Sequence, residues 1–200
     1  GIVDPSTLTA LIATRELAKA PGSTIIHNLI TSRAVPEIVL EHGGKPVRTR
    51  VGHSFIKATM AQSNAIFGGE HSGHFYFRDF WKADSGMLAA MHALAALGEA
   101  PKSTTLSELL KPYLRYIMSG EINTKVSDAK TVVARIKTEF AERAIDTDEL
   151  DGLTVSLDSG WFNVRSSNTE PLLRLNVEAT NHDAMAAIRD EVLGIMNGSL

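Results

Sequence analysis

Short apolar runs alternate with helix-like segments through the first half of the chain, and this rhythm constrains the fold more than any other feature. Strand-like runs occur at STIIHNLI, KPVRTRV and AIFGG. A helix-start signal, Asp4 followed by Pro5, lies before the first of these runs. A second signal, Ser32 followed by a helix with an apolar face, lies between the first run and the second. We also predict a long helix through Leu97 with Asp84 as its N-cap. Such alternation predicts a mixed or parallel sheet with helices packed on it.

The rhythm changes after Pro101, where Pro112 and then Ser119-Gly120 interrupt the pattern. We place a domain boundary here, with one domain at residues 1–115 and a second at residues 116–200. The second domain begins with a strand, EINTKV, and a helix capped by Asp128. A hairpin made of LTVSL and WFNVR, an alternating strand, LLRLNVEA, and a final helix follow. This order predicts a small α+β domain with an antiparallel sheet and two helices.

The composition argues against several classes of protein. The net charge of −3 and the lack of a basic run argue against nucleic-acid binding. No apolar run reaches the roughly 18 residues of a membrane span, and the first residues do not resemble a signal peptide. The chain contains no cysteine, which excludes disulfides and thiolate metal sites and favours a cytoplasmic location. We therefore expect neither a nucleic acid nor a membrane as a partner.

The segment VGHSFIK places polar groups where a predicted strand gives way to a helix. His53 and Ser54 would stand at the helix N-terminus, whose unpaired N–H groups favour anions such as phosphate. Lys57 follows one turn later and would add positive charge. An ordinary serine cap with a surface lysine explains the same residues, so both interpretations stay open.

The segment GGEHSGHFYF carries more hydrogen-bonding groups than the end of an apolar strand requires. Glu70, Ser72 and His74 alternate, so an extended backbone would project them to one side. A carboxylate can accept two hydrogen bonds from sugar hydroxyls, and an imidazole exchanges protons near neutral pH. His71 would point the other way. The alternatives are a polar surface loop and a metal site of His71 and His74 with His53, although no third ligand stands at a zinc-like interval.

The segment RSSNTEPLLR places two arginines on either side of a polar turn. Arg165 and Arg174 bracket serine, asparagine and threonine residues, and Pro171 closes the turn. Hydroxyls, an amide and an arginine fork together suit the oxygens of a phosphate. An ordinary Asx or Ser/Thr turn is the alternative. Four consecutive hydrogen-bonding residues beside an arginine favour phosphate.

Taken together and in this order, the three segments resemble the α-D-phosphohexomutase superfamily, most closely its bacterial phosphomannomutase/phosphoglucomutase branch. GEHSGH resembles the sugar-binding loop of that family, GHSFIK its preceding active-site loop, and RSSNTEP its C-terminal phosphate-binding loop. The resemblance covers essentially the whole chain. It implies the sugar-recognising third domain of the family at residues 1–115, a three-layer α/β fold whose mixed sheet has helices on both faces. It implies the phosphate-binding fourth domain at residues 116–200, a four-stranded antiparallel α+β fold with two helices, like the TATA-binding protein.

The resemblance also implies roles for individual residues. His53 and His74 would line the reaction centre as catalytic residues, with His74 as an acid or base. The side chains that would bind substrate are Glu70, Ser72, Arg33, Lys57, Arg165, Ser167, Asn168 and Thr169. Glu70 and Ser72 would contact sugar hydroxyls. The non-reacting phosphate would be held by Arg165, Ser167, Asn168 and Thr169. No metal ligand is expected in this chain.

The implied activity is that of an intramolecular phosphotransferase, an isomerase that interconverts hexose 1-phosphate and hexose 6-phosphate. By the resemblance it uses a phosphoserine, Mg²⁺ and a hexose 1,6-bisphosphate intermediate. The serine and metal loops belong to the first and second domains of the family, which we expect to precede Gly1 as missing partners. We therefore expect the chain alone to lack turnover.

Two further points qualify the resemblance. Ile30 stands where the family often has a lysine, so one charged contact to the substrate would be missing or supplied elsewhere. A fragment of a phosphoglucosamine mutase and a non-catalytic module that binds sugar phosphates are the alternative interpretations.

Overall fold

The computed structural model describes residues 3–167 and 170–198 of the chain. The chain forms two compact units, Gly1–Arg115 and Tyr116–Leu200. Within the described residues, no helix is both long enough and apolar enough to cross a membrane.

The first unit is built on a five-stranded mixed sheet. Its strands are β1 (Thr24–Asn28), β2 (Lys45–Thr49), β3 (Phe67–Gly69), β4 (Phe75–Phe77) and β5 (Ala83–Asp84). Its helices are α1 (Pro5–Lys19), α2 (Ala34–Glu41), α3 (His53–Ser63), α4 (Gly86–Glu99) and α5 (Leu106–Leu110), followed by a 3₁₀ turn (Lys111–Tyr113). The strand order is β2-β1-β3-β4-β5; β1 pairs parallel with β2 and β3, whereas β3, β4 and β5 pair antiparallel.

Helices cover both faces of this sheet. Ile26, Gly68 and Tyr76 are register neighbours on one face, where Ile26 and Tyr76 form a buried cluster with Ile56 of α3. Gly69 belongs to the opposite face, and a side chain there would collide with Thr9 of α1. The predicted three-layer α/β fold with a mixed sheet is therefore confirmed.

The helix starts agree with the sequence at α1 and differ at α2 and α4. Asp4 caps α1, because its carboxylate accepts a hydrogen bond from the Thr7 N–H at 2.8 Å. Arg33 occupies the N-cap position of α2, although the Ser32 hydroxyl still accepts from the Ala34 N–H at 3.2 Å. The N-cap of α4 is Ser85 and not Asp84, so that prediction was wrong. The Asp84 carboxylate instead contacts His74 and the Phe75 N–H.

The second unit is a six-stranded sheet with two helices. Its strands are β6 (Ile117–Met118), β7 (Ile122–Lys125), β8 (Asp146–Asp148), β9 (Leu153–Ser156), β10 (Gly160–Ser166) and β11 (Leu172–Ala179), and its helices are α6 (Ala129–Phe140) and α7 (His182–Met196). The order is β6-β11-β10-β9-β8, and β7 also pairs with β11. All of these pairings are antiparallel. The predicted α+β class is confirmed, and two short strands, β6 and β8, extend the four that were expected.

The helices of the second unit pack on one face of its sheet. Phe162 and Val164 of β10 and Leu173 and Leu175 of β11 share a buried cluster with apolar side chains of α6 and α7, including Phe140. Since successive side chains of a strand alternate between faces, the residues between them point to the opposite face. That opposite face carries Arg165 and Arg174. The likeness to the TATA-binding protein stays a prediction.

Candidate functional site

Three parallel strands of the first unit end at the same edge of the sheet, and polar residues follow each end. The strand β1 ends at Asn28, β2 ends just before the turn that contains Gly52, and β3 ends just before Glu70. Carboxyl ends of parallel strands are where open α/β sheets bind their ligands. The Glu70 carboxylate joins the three ends, because Oε1 accepts from the Gly52 N–H at 3.0 Å and from Asn28 Nδ2 at 3.4 Å.

A chain of hydrogen bonds runs from this carboxylate to a histidine. The Tyr76 hydroxyl donates to Glu70 Oε2 at 2.8 Å and also contacts Nδ1 of His53. Because the tyrosine proton is used toward the carboxylate, the His53 ring must carry its own proton on Nδ1 and donate it to the tyrosine oxygen. Burial, followed by the neighbouring Glu70 carboxylate, raises the pKa of Tyr76, so its hydroxyl stays protonated. In the neutral His53 ring, Nε2 is then the basic nitrogen.

A second histidine is held in the same way. His74 Nδ1 lies 2.7 Å from Asp84 Oδ2, and Asp84 Oδ1 accepts from the Phe75 N–H at 2.8 Å. The carboxylate can only accept, so Nδ1 of His74 carries the proton and Nε2 is again the basic nitrogen of the neutral ring. The two imidazole rings meet edge to face, with 4.4 Å between their centroids. The structure therefore brings together both histidines that the sequence predicted as catalytic.

The segment between Glu70 and His74 is a tight turn and not the extended strand on which its prediction rested. The Glu70 N–H donates to the His74 carbonyl at 3.0 Å, and the Gly73 N–H donates to the Glu70 carbonyl at 3.0 Å. Glu70 is buried, at 1% exposure, whereas Ser72 is exposed at the tip of the turn. The alternation argument was thus wrong for this segment, because the turn that joins β3 to β4 reverses the chain.

The other residues predicted in the first unit occupy helix starts. Lys57 is exposed in α3, one turn beyond His53, and Arg33 is partly exposed at the N-cap of α2. His71, on the turn, contacts the Ser6 hydroxyl near the start of α1 at 3.3 Å. Whether any of these side chains contacts a substrate stays a prediction.

The arginines of the polar turn in the second unit are direct neighbours. Arg165 of β10 is the register partner of Arg174 of β11. Arg165 Nη2 donates to Glu121 Oε2 at 2.8 Å, and Arg174 Nη1 donates to Glu121 Oε1 at 3.2 Å. Arg174 Nη2 also lies 3.4 Å from the hydroxyl of Ser167, whose own N–H donates to the Leu172 carbonyl at 2.9 Å. The remaining predicted phosphate contacts, Asn168 and Thr169, lie outside the described residues.

Sequence reasoning missed four residues that complete these clusters. Tyr76, Asn28 and Asp84 were interpreted as parts of strands or caps, and Glu121 as the start of a strand. Tyr76 and Asn28 follow ordinary strand patterns, so only the pairing of β1, β3 and β4 shows that they face Glu70. A polar residue at the end of a parallel strand was the one available signal for Asn28.

The described residues do not form a metal site. Across residues 3–167 and 170–198, no group of three or more histidine, aspartate or glutamate side chains is placed to hold a metal ion. The three histidines considered for metal binding have other contacts. His71 contacts Ser6, His53 contacts Tyr76, and His74 contacts Asp84. The residues that the structure describes therefore do not fit Mg²⁺.

Two models of protein families match the chain in succession. The first, described as phosphoglucomutase/phosphomannomutase, alpha/beta/alpha domain III, matches residues 4–116. The second, described as phosphoglucomutase/phosphomannomutase, C-terminal domain, matches residues 121–195.

Curated proteins and solved structures give the same picture. A phosphomannomutase of Methanocaldococcus jannaschii is 42% identical over 189 residues, which are 94% of this chain and 41% of that protein. A phosphomannomutase of Escherichia coli is 39% identical over 191 residues, again 94% of this chain and 41% of that protein. A crystal structure of a phosphoglucomutase/phosphomannomutase family protein from Burkholderia thailandensis has a TM-score of 0.84 and 29% identity, covering 98% of this chain and 43% of that one. The chain thus spans about two fifths of the length of the curated relatives that it matches.

Proposed function

Because the chain belongs to the phosphoglucomutase/phosphomannomutase family, of which it matches domains III and IV, we propose that it supplies the sugar-binding and phosphate-binding parts of a phosphohexomutase. The proposed reaction interconverts the 1-phosphate and the 6-phosphate of a hexose such as mannose. The observation that carries this proposal is the pair of adjacent arginines beside the polar turn of the second unit, within a segment that matches the C-terminal domain of the family.

The second unit would hold the phosphate that does not react. Arg165 and Arg174 stand opposite one another, so their guanidinium groups can approach one phosphate from two sides. Planar guanidinium groups donate paired hydrogen bonds to phosphate oxygens, and such charge-assisted bonds are about twice as strong as neutral ones. The Ser167 hydroxyl lies beside Arg174. Asn168 and Thr169, which lie outside the described residues, would add an amide and a hydroxyl to the proposed grip.

The first unit would hold the sugar and move the proton of its reacting hydroxyl. Nε2 of His74 would accept this proton while the hydroxyl oxygen forms the new bond to phosphorus and the bond from phosphorus to the donor oxygen breaks. Asp84 supports this role, since it fixes the proton of His74 on Nδ1. His53, held by Tyr76, would serve the same reaction centre from the neighbouring side.

The remaining proposed contacts differ in how accessible they are. Ser72 and Lys57 are exposed, and Arg33 is partly exposed, so each can meet a ligand without a change of fold. Glu70 is buried and already accepts hydrogen bonds from Gly52, Asn28 and Tyr76. We propose that it positions the α3 start and Tyr76, and that contact with a sugar hydroxyl would require it to exchange one of these bonds.

We further propose that the phosphoryl donor and the metal chemistry come from domains that this chain does not match. A phosphoserine would supply the phosphoryl group and regain one from a hexose 1,6-bisphosphate. When bound there, Mg²⁺ would stabilise the negative charge of the transferring group. For the described residues of this chain we propose binding, orientation and proton transfer.

Replacing Arg165 tests the phosphate site. The variant Arg165→Ala should weaken the binding of mannose 6-phosphate about tenfold, because a hydrogen bond to a charged group contributes about 1.5–3 kcal/mol and part of this is offset by the lost pairing with Glu121. Isothermal titration calorimetry of the chain measures this affinity.

The matched control for this experiment is Arg189→Ala. Arg189 lies in α7, on the side of the sheet that faces away from Arg165, and pairs with Asp190 at 2.7 Å. Its replacement removes the same charge and should leave the affinity unchanged. Equal affinities for the wild type and Arg165→Ala would count against the proposed phosphate site.

A further inference from the structure

The two arginines of the proposed phosphate site create an electrostatic problem in the absence of a ligand. Arg165 and Arg174 are directly opposite one another on neighbouring antiparallel strands. Like charges in this arrangement destabilise a sheet, because the two side chains point the same way from adjacent backbones. The ligand-free protein therefore needs a negative group between them.

Glu121 supplies that negative group with both of its oxygens. Oε2 accepts from Arg165 Nη2 at 2.8 Å, and Oε1 accepts from Arg174 Nη1 at 3.2 Å. One carboxylate thus bridges two guanidinium groups in the way that two oxygens of a phosphate can. The side chains of Arg165 and Glu121 are 13% and 28% exposed, so solvent and small anions can reach the cluster.

The backbone around Glu121 is shaped to aim this carboxylate. Met118 pairs with Glu178 of β11, and Ile122 pairs with Leu175, so three residues of this segment stand opposite two of β11. Such a bulge redirects the side chains beside it and is common near functional sites. Gly120, at the centre of the bulge, has φ +70°, which few residues other than glycine adopt readily.

A second contact anchors the bulge to the sheet. The Ser119 N–H donates to the Val177 carbonyl at 2.9 Å, and the Ser119 hydroxyl accepts from the Val177 N–H at 3.0 Å. The position of Glu121 is therefore fixed by β11 on both sides of the bulge, and the carboxylate is a built part of the arginine cluster.

We propose that Glu121 is an internal counter-anion that holds Arg165 and Arg174 ready when no ligand is present and gives them up when a phosphate group binds. This inference rests on the proposed phosphate site and adds how that site is regulated. A carboxylate and a phosphate dianion repel each other and need the same donors, so the two occupy the arginines in exchange.

The exchange predicts that neutralising Glu121 tightens phosphate binding. The variant Glu121→Gln keeps the shape of the side chain and removes its charge, so bound phosphate no longer displaces an ion pair. We expect the dissociation constant for inorganic phosphate, measured by NMR titration of the 200-residue chain, to fall about threefold to tenfold. Glu191→Gln is the matched control, because Glu191 pairs with Arg143 in the same unit and not with the two arginines of the site. The affinity of this variant for phosphate should equal that of the wild type.

A second readout follows the carboxylate itself. In the wild type, saturating phosphate should move the side-chain carbon resonance of Glu121 toward that of an exposed glutamate, while the resonance of Glu191 stays in place. One outcome separates the two proposals. If Arg165→Ala weakens the binding of phosphate, but Glu121→Gln binds phosphate no more tightly than the wild type does, the exchange is wrong and the phosphate site stands. If neither the wild type nor Glu121→Gln binds phosphate, both the exchange and the phosphate site are wrong.

Discussion

At the scale of single residues, the first unit uses one exposed carboxylate and one buried carboxylate to fix the protons of two histidines. Asp84 fixes His74 directly, whereas Glu70 acts on His53 through the Tyr76 hydroxyl. Since carboxylates only accept hydrogen bonds, each arrangement leaves Nε2 as the basic atom of the neutral ring. The two rings lie 4.4 Å apart, measured between their centroids. This spacing is consistent with the proposed transfer of a proton from one of two hydroxyls of the same sugar.

A third histidine affects stability. His27 is buried in β1, and Nδ1 donates to the Asn28 carbonyl at 3.1 Å. Burial lowers the pKa of His27 from its ordinary value of 6.5 to about 4. The unfolded chain therefore takes up a proton first as the pH falls. The contribution of His27 to stability is complete above about pH 6.5 and is lost as the pH approaches about 4.

We expect acidification to lower the free energy of unfolding through His27. The loss should reach about 3 kcal/mol, since each pKa unit corresponds to about 1.4 kcal/mol. Urea unfolding of the wild type and of His27→Gln at about pH 7 and about pH 4 measures it, with exposed His182→Gln as the control. His27→Gln should be less stable near neutral pH but less sensitive to acid. An identical pH dependence in the wild type and His27→Gln would contradict this assignment.

At the scale of elements, the close approach of α1 to β3 sets the layer spacing beside the site. A Cβ atom on Gly69 would lie 2.3 Å from Thr9 Oγ1 and 2.4 Å from Thr9 Cγ2, and Thr9 Oγ1 in turn donates to the Pro5 carbonyl at 2.8 Å. Only glycine allows the helix to pack here. Glu70 follows directly, so the same contact helps to position the carboxylate that joins the strand ends.

Gly69→Ala should therefore destabilise the first unit by about 1–3 kcal/mol, which is typical of overpacking in a well-packed core. Gly98→Ala is the matched control, because a Cβ on Gly98 in α4 meets no heavy atom within 4 Å. Its stability should stay unchanged or rise by up to about 1 kcal/mol, since alanine favours a helix more than glycine does. Thermal unfolding of the wild type and of the two variants provides the comparison. Equal unfolding temperatures for Gly69→Ala and the wild type would show that Thr9 moves aside without a loss of stability.

The sequence predicted elements better than it predicted their contacts. Asp4 and Asp128 start helices as expected, because an N-cap depends on neighbours within three residues. Asp84 has the same local features, yet its carboxylate binds His74 and the Phe75 N–H across a strand pair, and Ser85 takes the cap. Local pattern could not decide between these two uses.

The same limit applies to the candidate sites. His53, His74 and Arg165 could be proposed from the sequence because polar groups cluster in the segments that contain them, and their roles stay predictions. Glu121 could not, since only the register of β6 and β7 against β11 shows the bulge that brings it to the arginines.

At the scale of the whole chain, each unit contains a buried cluster of its own. The cluster of the second unit joins α6 and α7 to its sheet, whereas those of the first unit lie around α3 and around α1. The alternation of strands and helices, followed by antiparallel strands, predicted both classes of fold. It could not predict β6 and β8, because strands of two and three residues carry too few side chains for a recognisable pattern.

The central claim is that the polar turn between β10 and β11 binds the phosphate of a phosphorylated hexose. NMR titration of the isotope-labelled chain with mannose 6-phosphate, and separately with mannose, tests it most directly. We expect saturable shifts of the backbone amides of Arg165, Ser167 and Arg174 with the phosphorylated sugar and none at these amides with mannose. Phosphorus NMR of the same sample should show no conversion to mannose 1-phosphate. Equal shifts of these three amides with both sugars would contradict the claim. So would a titration in which mannose 6-phosphate shifts other amides but not these three.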